Sequence, residues 1–159
     1  MGCDIHAFAE KNVGGKFEQI EMPYDWFDSR SYGRFGFLAH VRNYSGVIPF
    51  GQTEVPEKYK SIGRGVPADV SDGVKAEYEH WDTDAHSASW LSLQELLSFD
   101  YEQIMEDRRV TRNNDGGCTC EPGEGQKMTY REFLGPNFFD ELQQAKDKGA
   151  DRLVFWFDN

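Results

Sequence analysis

Two pairs of side chains with metal-ligand chemistry stand out in the sequence, each an aspartate and a histidine two positions apart. The first pair is Asp4 and His6, and the second is Asp84 and His86. In an extended backbone, residues i and i+2 share a face, so each pair presents a carboxylate beside an imidazole. If the pairs meet, Asp4, His6, Asp84 and His86 form a site for one divalent metal ion. Such an ion can generate hydroxide near neutral pH.

A metal-free chemistry is the alternative for the same residues. His6 and His86 would then serve as general base and general acid across a phosphodiester, so we predict catalytic roles for His6, Asp84 and His86. The chain lacks the His-x-Thr or His-x-Ser pairs of two-histidine phosphoesterases and the later histidine motifs of metallophosphoesterases. A solvated carboxylate and a hydrogen-bonded histidine on an ordinary strand also remain open.

A basic segment, residues 30–64, interrupts an otherwise acidic chain. It carries six basic residues against two acidic ones, whereas the whole chain has a net charge of −11. This pattern is typical of a small anionic ligand site, although solvated surface charge explains it equally well. We predict ligand contacts from basic and aromatic side chains in and near the segment: Arg34, Arg42, Lys60, Arg64, Tyr44 and Trp90.

Composition excludes several classes of protein. The negative charge disfavours general binding to nucleic acid, and the longest apolar run, residues 153–157, is too short to span a membrane. The cysteine count is odd, with Cys3, Cys118 and Cys120, and no secretory signal pattern precedes them. We therefore expect no disulfide framework and a cytoplasmic location.

The predicted elements form an α+β fold in a single domain, residues 1–159. The chain begins with a β-hairpin that turns at residues 12–15, and residues 152–159 form a strand that is apolar on both faces. Such a strand is typical of the centre of a sheet, and beside the first strand it would place Asp158 near Asp4 and His6. We predict a small mixed or antiparallel sheet with helices packed on it.

Helix signals lie between these strands. A short helix is predicted from Tyr32, and an amphipathic one ends near Trp81. Two capping boxes, at residues 92–95 and 129–132, open further helices, and Gly149 ends the last one. Residues 43–67 and 113–126 are predicted to be long loops, and long loops in compact domains are often functional.

Five blocks of the chain resemble a family of small proteins encoded by bacteriophages and prophages. They are the opening Met-Gly-Cys-Asp-Ile-His, Phe-Leu-Ala-His-Val-Arg-Asn-Tyr (37–44), Gly-Val-Pro-Ala-Asp-Val-Ser (65–71), Asp-Ala-His-Ser-Ala-Ser-Trp-Leu-Ser-Leu-Gln-Glu-Leu-Leu (84–97) and the terminal Val-Phe-Trp-Phe-Asp-Asn. The resemblance runs from the first residue to the last. It implies a phage origin without naming a reaction. By analogy, accessory phage proteins of this size often counter host defence.

Together these patterns predict a hydrolase, similar to a phosphodiesterase, that acts on a nucleotide or cyclic nucleotide. Two alternatives stay open: a binding protein that sequesters such a ligand without turnover, and an acidic inhibitor of a host protein. The expected partners are a small anionic ligand, a host protein or a second copy of the chain, with no membrane and no general nucleic acid among them.

Overall fold

Six strands and five helices make up the regular part of the computed structural model, which describes residues 2–110 and 119–159. In chain order they are β1 (Asp4–Val13), β2 (Lys16–Ile20), α1 (Tyr32–Ala39), α2 (Asp72–Trp81), β3 (His86–Ser92), α3 (Leu93–Ser98), β4 (Ile104–Asp107), β5 (Gln126–Thr129), α4 (Tyr130–Leu134), α5 (Pro136–Asp147) and β6 (Arg152–Asp158). The predicted α+β class is confirmed.

The chain forms two compact units. We call residues 2–30, 63–99 and 137–159 the sheet unit, and residues 31–62 and 100–136 the hairpin unit. The prediction of a single domain stays a prediction. Across the described residues, no helix combines the length and apolar content that a bilayer crossing requires.

The sheet unit is built around β6. Its four strands run in the order β2-β1-β6-β3, and every neighbouring pair is antiparallel. Residues 153–157 are 0 % exposed, as expected for a strand that is apolar on both faces. The predictions of a central C-terminal strand and of an opening hairpin are both confirmed.

One face of the sheet unit is covered by α2. Val154 and Trp156 of β6 form a buried cluster with Val74 of α2, and Tyr78 packs against it. Phe155 and Phe157, which alternate with them on the opposite face, are buried as well. The central strand β6 is therefore enclosed on both faces of the sheet.

The edge strand β3 is absent from the sequence prediction. Residues 86–92 contain three serines and no β-branched aliphatic side chain, so strand propensity is weak there. Its register also shifts between His86 and Ser89, which breaks the alternation that marks a strand. Gly63 covers its outer edge so closely that a Cβ there would collide with the Ala88 carbonyl.

The hairpin unit combines α1 and α4 with the antiparallel pair β4–β5. Phe37 of α1 is fully buried and contacts the rings of Tyr101 and Tyr130, with centroids 6.1 and 5.6 Å away. Neither β4 nor β5 was predicted, because each has only four residues and one begins at the end of the predicted loop. Residues 113–118 of that loop, including Cys118, lie outside the described residues.

Candidate acid–base site at the end of the sheet

An imidazole and a carboxylate meet where β1 and β6 pair in the sheet unit. The register sets His6 opposite Trp156 and Asp4 opposite Asp158. Asp158 is therefore a diagonal neighbour of His6 on the same face, within reach of its side chain. His6 Nε2 lies 2.9 Å from Asp158 Oδ2, and the side chains are 23 % and 15 % exposed. The prediction that the last strand brings Asp158 to the opening pair is confirmed.

Arg30 binds one of two carboxylates that face each other across β1 and β6. Asp4 and Asp158 are direct cross-strand partners, and like charges in that arrangement repel. The Arg30 guanidinium donates Nε to Asp4 Oδ1 at 2.8 Å and Nη2 to Oδ2 at 2.7 Å. These hydrogen bonds hold the pKa of Asp4 below its ordinary value of 3.8, outweighing the opposite effect of burial. Each carboxylate thus has its own partner.

Removal of the Arg30 guanidinium is expected to raise the pKa of Asp4. Because this pKa is lower in the folded chain, the pair stabilises the fold above pH 3.8, and its contribution is lost as the pH falls through the folded value. Both side chains are nearly half exposed, so the contribution is at most about 1 kcal/mol. Carboxyl NMR titration of Arg30→Met measures the shift.

Arg64→Met is the matched control for that titration. Arg64 makes the same two-bond contact with Glu95 and lowers the pKa of that carboxyl. This variant should raise the pKa of Glu95 and leave that of Asp4 unchanged. An Asp4 titration that is the same in Arg30→Met and in the wild type would contradict the assigned cause.

Aromatic rings hold the His6 imidazole in place. The Trp81 ring lies 4.2 Å from it, tilted by 38°, and the Trp156 ring lies 6.0 Å away. Trp81 ends α2, and the next residue, Asp82, has φ 45° and ψ −120°.

We call His6, Asp158, Asp4, Arg30 and Trp81 the His6 site. All five residues belong to the sheet unit. Paired strands supply three of them, the end of α2 supplies Trp81, and the segment after β2 supplies Arg30. The arrangement offers a proton acceptor, a carboxylate that orients it and a cation at one end of one sheet. These are the parts of an acid–base site.

His86 does not join this site. It pairs with Phe157, which follows Trp156 and therefore points to the other face of the sheet. Its ring stacks on Phe157 at 6.1 Å, and its Nε2 is buried with no hydrogen-bond partner. The prediction that His6 and His86 converge is wrong, because the register of β3 sets their side chains on opposite faces.

The other predicted metal ligands do not complete a cluster either. Asp84 is exposed in the short 3-10 turn after α2, and both Asp4 oxygens accept hydrogen bonds from Arg30. Among the residues that the structure describes, no group of three or more His, Cys, Asp or Glu side chains is arranged to hold a metal ion. The structure thus does not bring Asp4, His6, Asp84 and His86 together at one point. A divalent metal held in another way stays a prediction.

The predicted ligand contacts divide between the two units. Arg34, Arg42, Tyr44 and Lys60 belong to the hairpin unit. Arg42 Nη1 donates to the Tyr44 hydroxyl at 3.2 Å, Arg34 is only 3 % exposed, and Lys60 is exposed. The structure thus brings Arg42 and Tyr44 together. Their binding of a phosphate stays a prediction.

Arg64 and Trp90 lie together in the sheet unit. The Arg64 guanidinium is 5.0 Å from the centre of the Trp90 ring and donates two hydrogen bonds to Glu95, at 3.0 and 2.8 Å. An anion at Arg64 would have to compete with this carboxylate. Its predicted role in ligand binding stays a prediction.

No protein-family model, curated protein or solved structure matches this chain. The chemistry of the His6 site follows from its own residues, and the sequence alone does not point to one of them, Arg30. In the sequence Arg30 is only a charge of the basic segment, because no local motif links it to Asp4, 26 positions earlier. Only the folded path of the chain joins them.

Proposed function

We propose that this chain is a phosphodiester hydrolase in which His6 is the general base. The observation that carries the proposal is the 2.9 Å contact between His6 Nε2 and Asp158 Oδ2, at a position that solvent still reaches. A carboxylate on one ring nitrogen fixes the tautomer and leaves the other nitrogen as a proton acceptor. When Nε2–H donates to Asp158, Nδ1 carries the lone pair.

The reaction requires one proton transfer at Nδ1. A water molecule attacks phosphorus while its proton passes to Nδ1, so a new P–O bond forms and the bond to the leaving oxygen breaks. The leaving alkoxide takes a proton from solvent, and the imidazolium later returns its own proton to solvent. Asp158 stabilises the transient positive charge on the ring. These reaction steps need no metal ion.

A phosphate-containing substrate is supported by the side chains around the dyad. Arg30 lies at the same strand end, and guanidinium groups match phosphate oxygens in geometry and charge. A phosphate at Arg30 would have to compete with Asp4, which accepts two hydrogen bonds from it. Trp81 adds an aromatic ring in contact with the imidazole, and aromatic rings are side chains on which nucleobases stack. The resemblance to phage-encoded proteins makes host nucleotide signals the first compounds to try.

A substrate panel tests the proposed function. Purified protein is incubated with cyclic mononucleotides, cyclic dinucleotides, linear dinucleotides and a nitrophenyl phosphodiester, with and without EDTA, and products are separated by chromatography. We expect hydrolysis of at least one phosphodiester, equally fast with EDTA. Binding of the same compounds is measured by calorimetry. Saturable binding with no product would mean that the protein sequesters the ligand without hydrolysing it. Turnover abolished by EDTA would contradict the metal-free mechanism.

A further inference from the structure

A concave pocket lies within the hairpin unit, and none of the residues of the His6 site lines it. Its volume is about 500 Å³. Small-molecule sites typically have volumes of about 300–1,000 Å³. We call it the Val47 pocket after the most deeply buried of its apolar residues. The apolar side chains in its lining include Val47, Ile48, Val55, Ile104, Met105 and Tyr130.

The wall of the Val47 pocket is apolar from its interior to its rim. Val47 and Met105 are buried, at 1 % and 7 % exposure, whereas Ile48, Val55 and Ile104 at the rim are 38 %, 42 % and 65 % exposed. Isolated apolar side chains on a surface need no explanation, but several grouped around one cavity mark a binding site. The described chain leaves this apolar rim open to solvent.

Charged groups border the same pocket. Arg108 and Lys127 are cationic, and Glu106 is the only carboxylate among the lining residues. Both Glu106 oxygens already accept backbone hydrogen bonds, from Gly123 N at 3.1 Å and Gly125 N at 2.6 Å. The Lys127 side chain is exposed and stands across the strand pair from Glu106. The border therefore carries one more positive than negative group. Arg108 already donates Nε and Nη2 to the Cys120 carbonyl, so Lys127 is the cation that an incoming anion would meet.

We propose that the Val47 pocket binds a small amphipathic anion, a molecule with an apolar ring or short chain and one acidic group. The apolar part lies against Val47 and Met105, where it removes rim side chains from water. The acidic group lies beside Lys127, whose ammonium offers three donors. A neutral ligand would use only the wall, and a cation would meet a border with two positive groups and one negative group. The proposal is independent of the hydrolase, since different residues carry it.

Two dyes that differ by one sulfonate group test the proposal. The first is 8-anilinonaphthalene-1-sulfonate, and the second is the uncharged N-phenyl-1-naphthylamine. We expect saturable one-to-one fluorescence binding of the sulfonate, and an affinity at least about tenfold weaker for the neutral dye, the size of one charge-assisted contact. Lys127→Gln should weaken the binding of the sulfonate dye by a similar factor and leave the affinity for the neutral dye unchanged.

Matched variants control for non-specific effects. Ile104→Ser should weaken both dyes, whereas Leu97→Ser, at a residue 44 % exposed in the sheet unit, and Lys16→Gln should weaken neither. Methyl NMR should show dye-induced shifts at Ile104 and none at Ile5. If Ile104→Ser fails to fold, Lys127→Gln in the folded protein decides. Any one of three results would overturn the proposal: no saturable binding of the sulfonate dye, equal affinities for the two dyes, or an unchanged affinity for the sulfonate dye in Lys127→Gln.

Discussion

His6→Gln is expected to lower the turnover of the best phosphodiester substrate by about 10²–10⁴-fold, the usual contribution of a general base. Glutamine keeps an amide N–H that can donate to Asp158, so the contact between the strands survives while the proton acceptor is lost. Substrate affinity should change little, since the imidazole acts in the chemical step. Steady-state kinetics measures kcat and KM separately, and the loss should fall on kcat.

Three variants control this result. His80→Gln changes an exposed histidine of α2 and should leave turnover unchanged. His86→Phe alters the opposite face of the sheet and should also retain turnover, because His86 has no role in the proposed reaction. Asp158→Asn should lower kcat strongly, since an amide can present a donor to Nε2 and favour the wrong tautomer. Equal kcat values in wild type and His6→Gln would remove His6 from the mechanism.

The second large effect concerns folding. Glu10→Ala is expected to lower the free energy of unfolding by about 3–5 kcal/mol, as when one partner of a buried ion pair is removed. Glu10 is 0 % exposed, and it accepts hydrogen bonds from Arg152 Nε at 2.8 Å and from Ser71 N at 2.7 Å. The Arg152 guanidinium lies 3.4 Å from the centre of the Phe17 ring. Without Glu10, the buried Ser71 N–H loses its acceptor, and the Arg152 guanidinium keeps only its hydrogen bonds to Asp69 Oδ1, at 2.8 Å, and to the Asp69 carbonyl, at 3.3 Å.

Urea unfolding followed by circular dichroism measures this loss, with two controls. In the double variant Glu10→Met, Arg152→Met both charges are gone, and much of the stability should return. Glu102→Gln removes one partner of the exposed pair with Arg131, whose side chains are 65 % and 52 % exposed, and should cost at most about 1 kcal/mol. If Glu10→Ala lowered the free energy of unfolding by no more than Glu102→Gln does, the stabilising role assigned to Glu10 would be contradicted.

The strands that carry the His6 site could be predicted from the sequence. Residues 153–157 are apolar without alternation, which marks a strand buried on both faces, and Asp-x-His alternation set Asp4 and His6 on one face of β1. From these two patterns alone, the meeting of His6 and Asp158 followed. Local periodicity was enough because both residues lie on neighbouring strands whose pairing is set by their burial.

The separation of His6 from His86 could not be predicted in the same way. It depends on the register of β3, and that register contains a shift between His86 and Ser89. One residue of slip moves a side chain to the opposite face of a sheet. Composition gives no indication of such a bulge. The Arg30–Asp4 contact could not be predicted for a related reason. Ion pairs between residues far apart in the chain leave no spacing pattern in the sequence.

The protonation of the two His6 ring nitrogens decides whether His6 can act as the general base, and it can be observed without any substrate. Long-range ¹H–¹⁵N NMR of the wild-type protein reports which nitrogen of the neutral ring carries the proton. We expect Nε2 to be protonated and Nδ1 unprotonated in the wild type. In Asp158→Asn, the hydrogen bond from Nε2–H to the carboxylate should be lost. A neutral ring protonated at Nδ1 would contradict the role of His6 as general base, because the lone pair would then face Asp158 and no base would remain for catalysis.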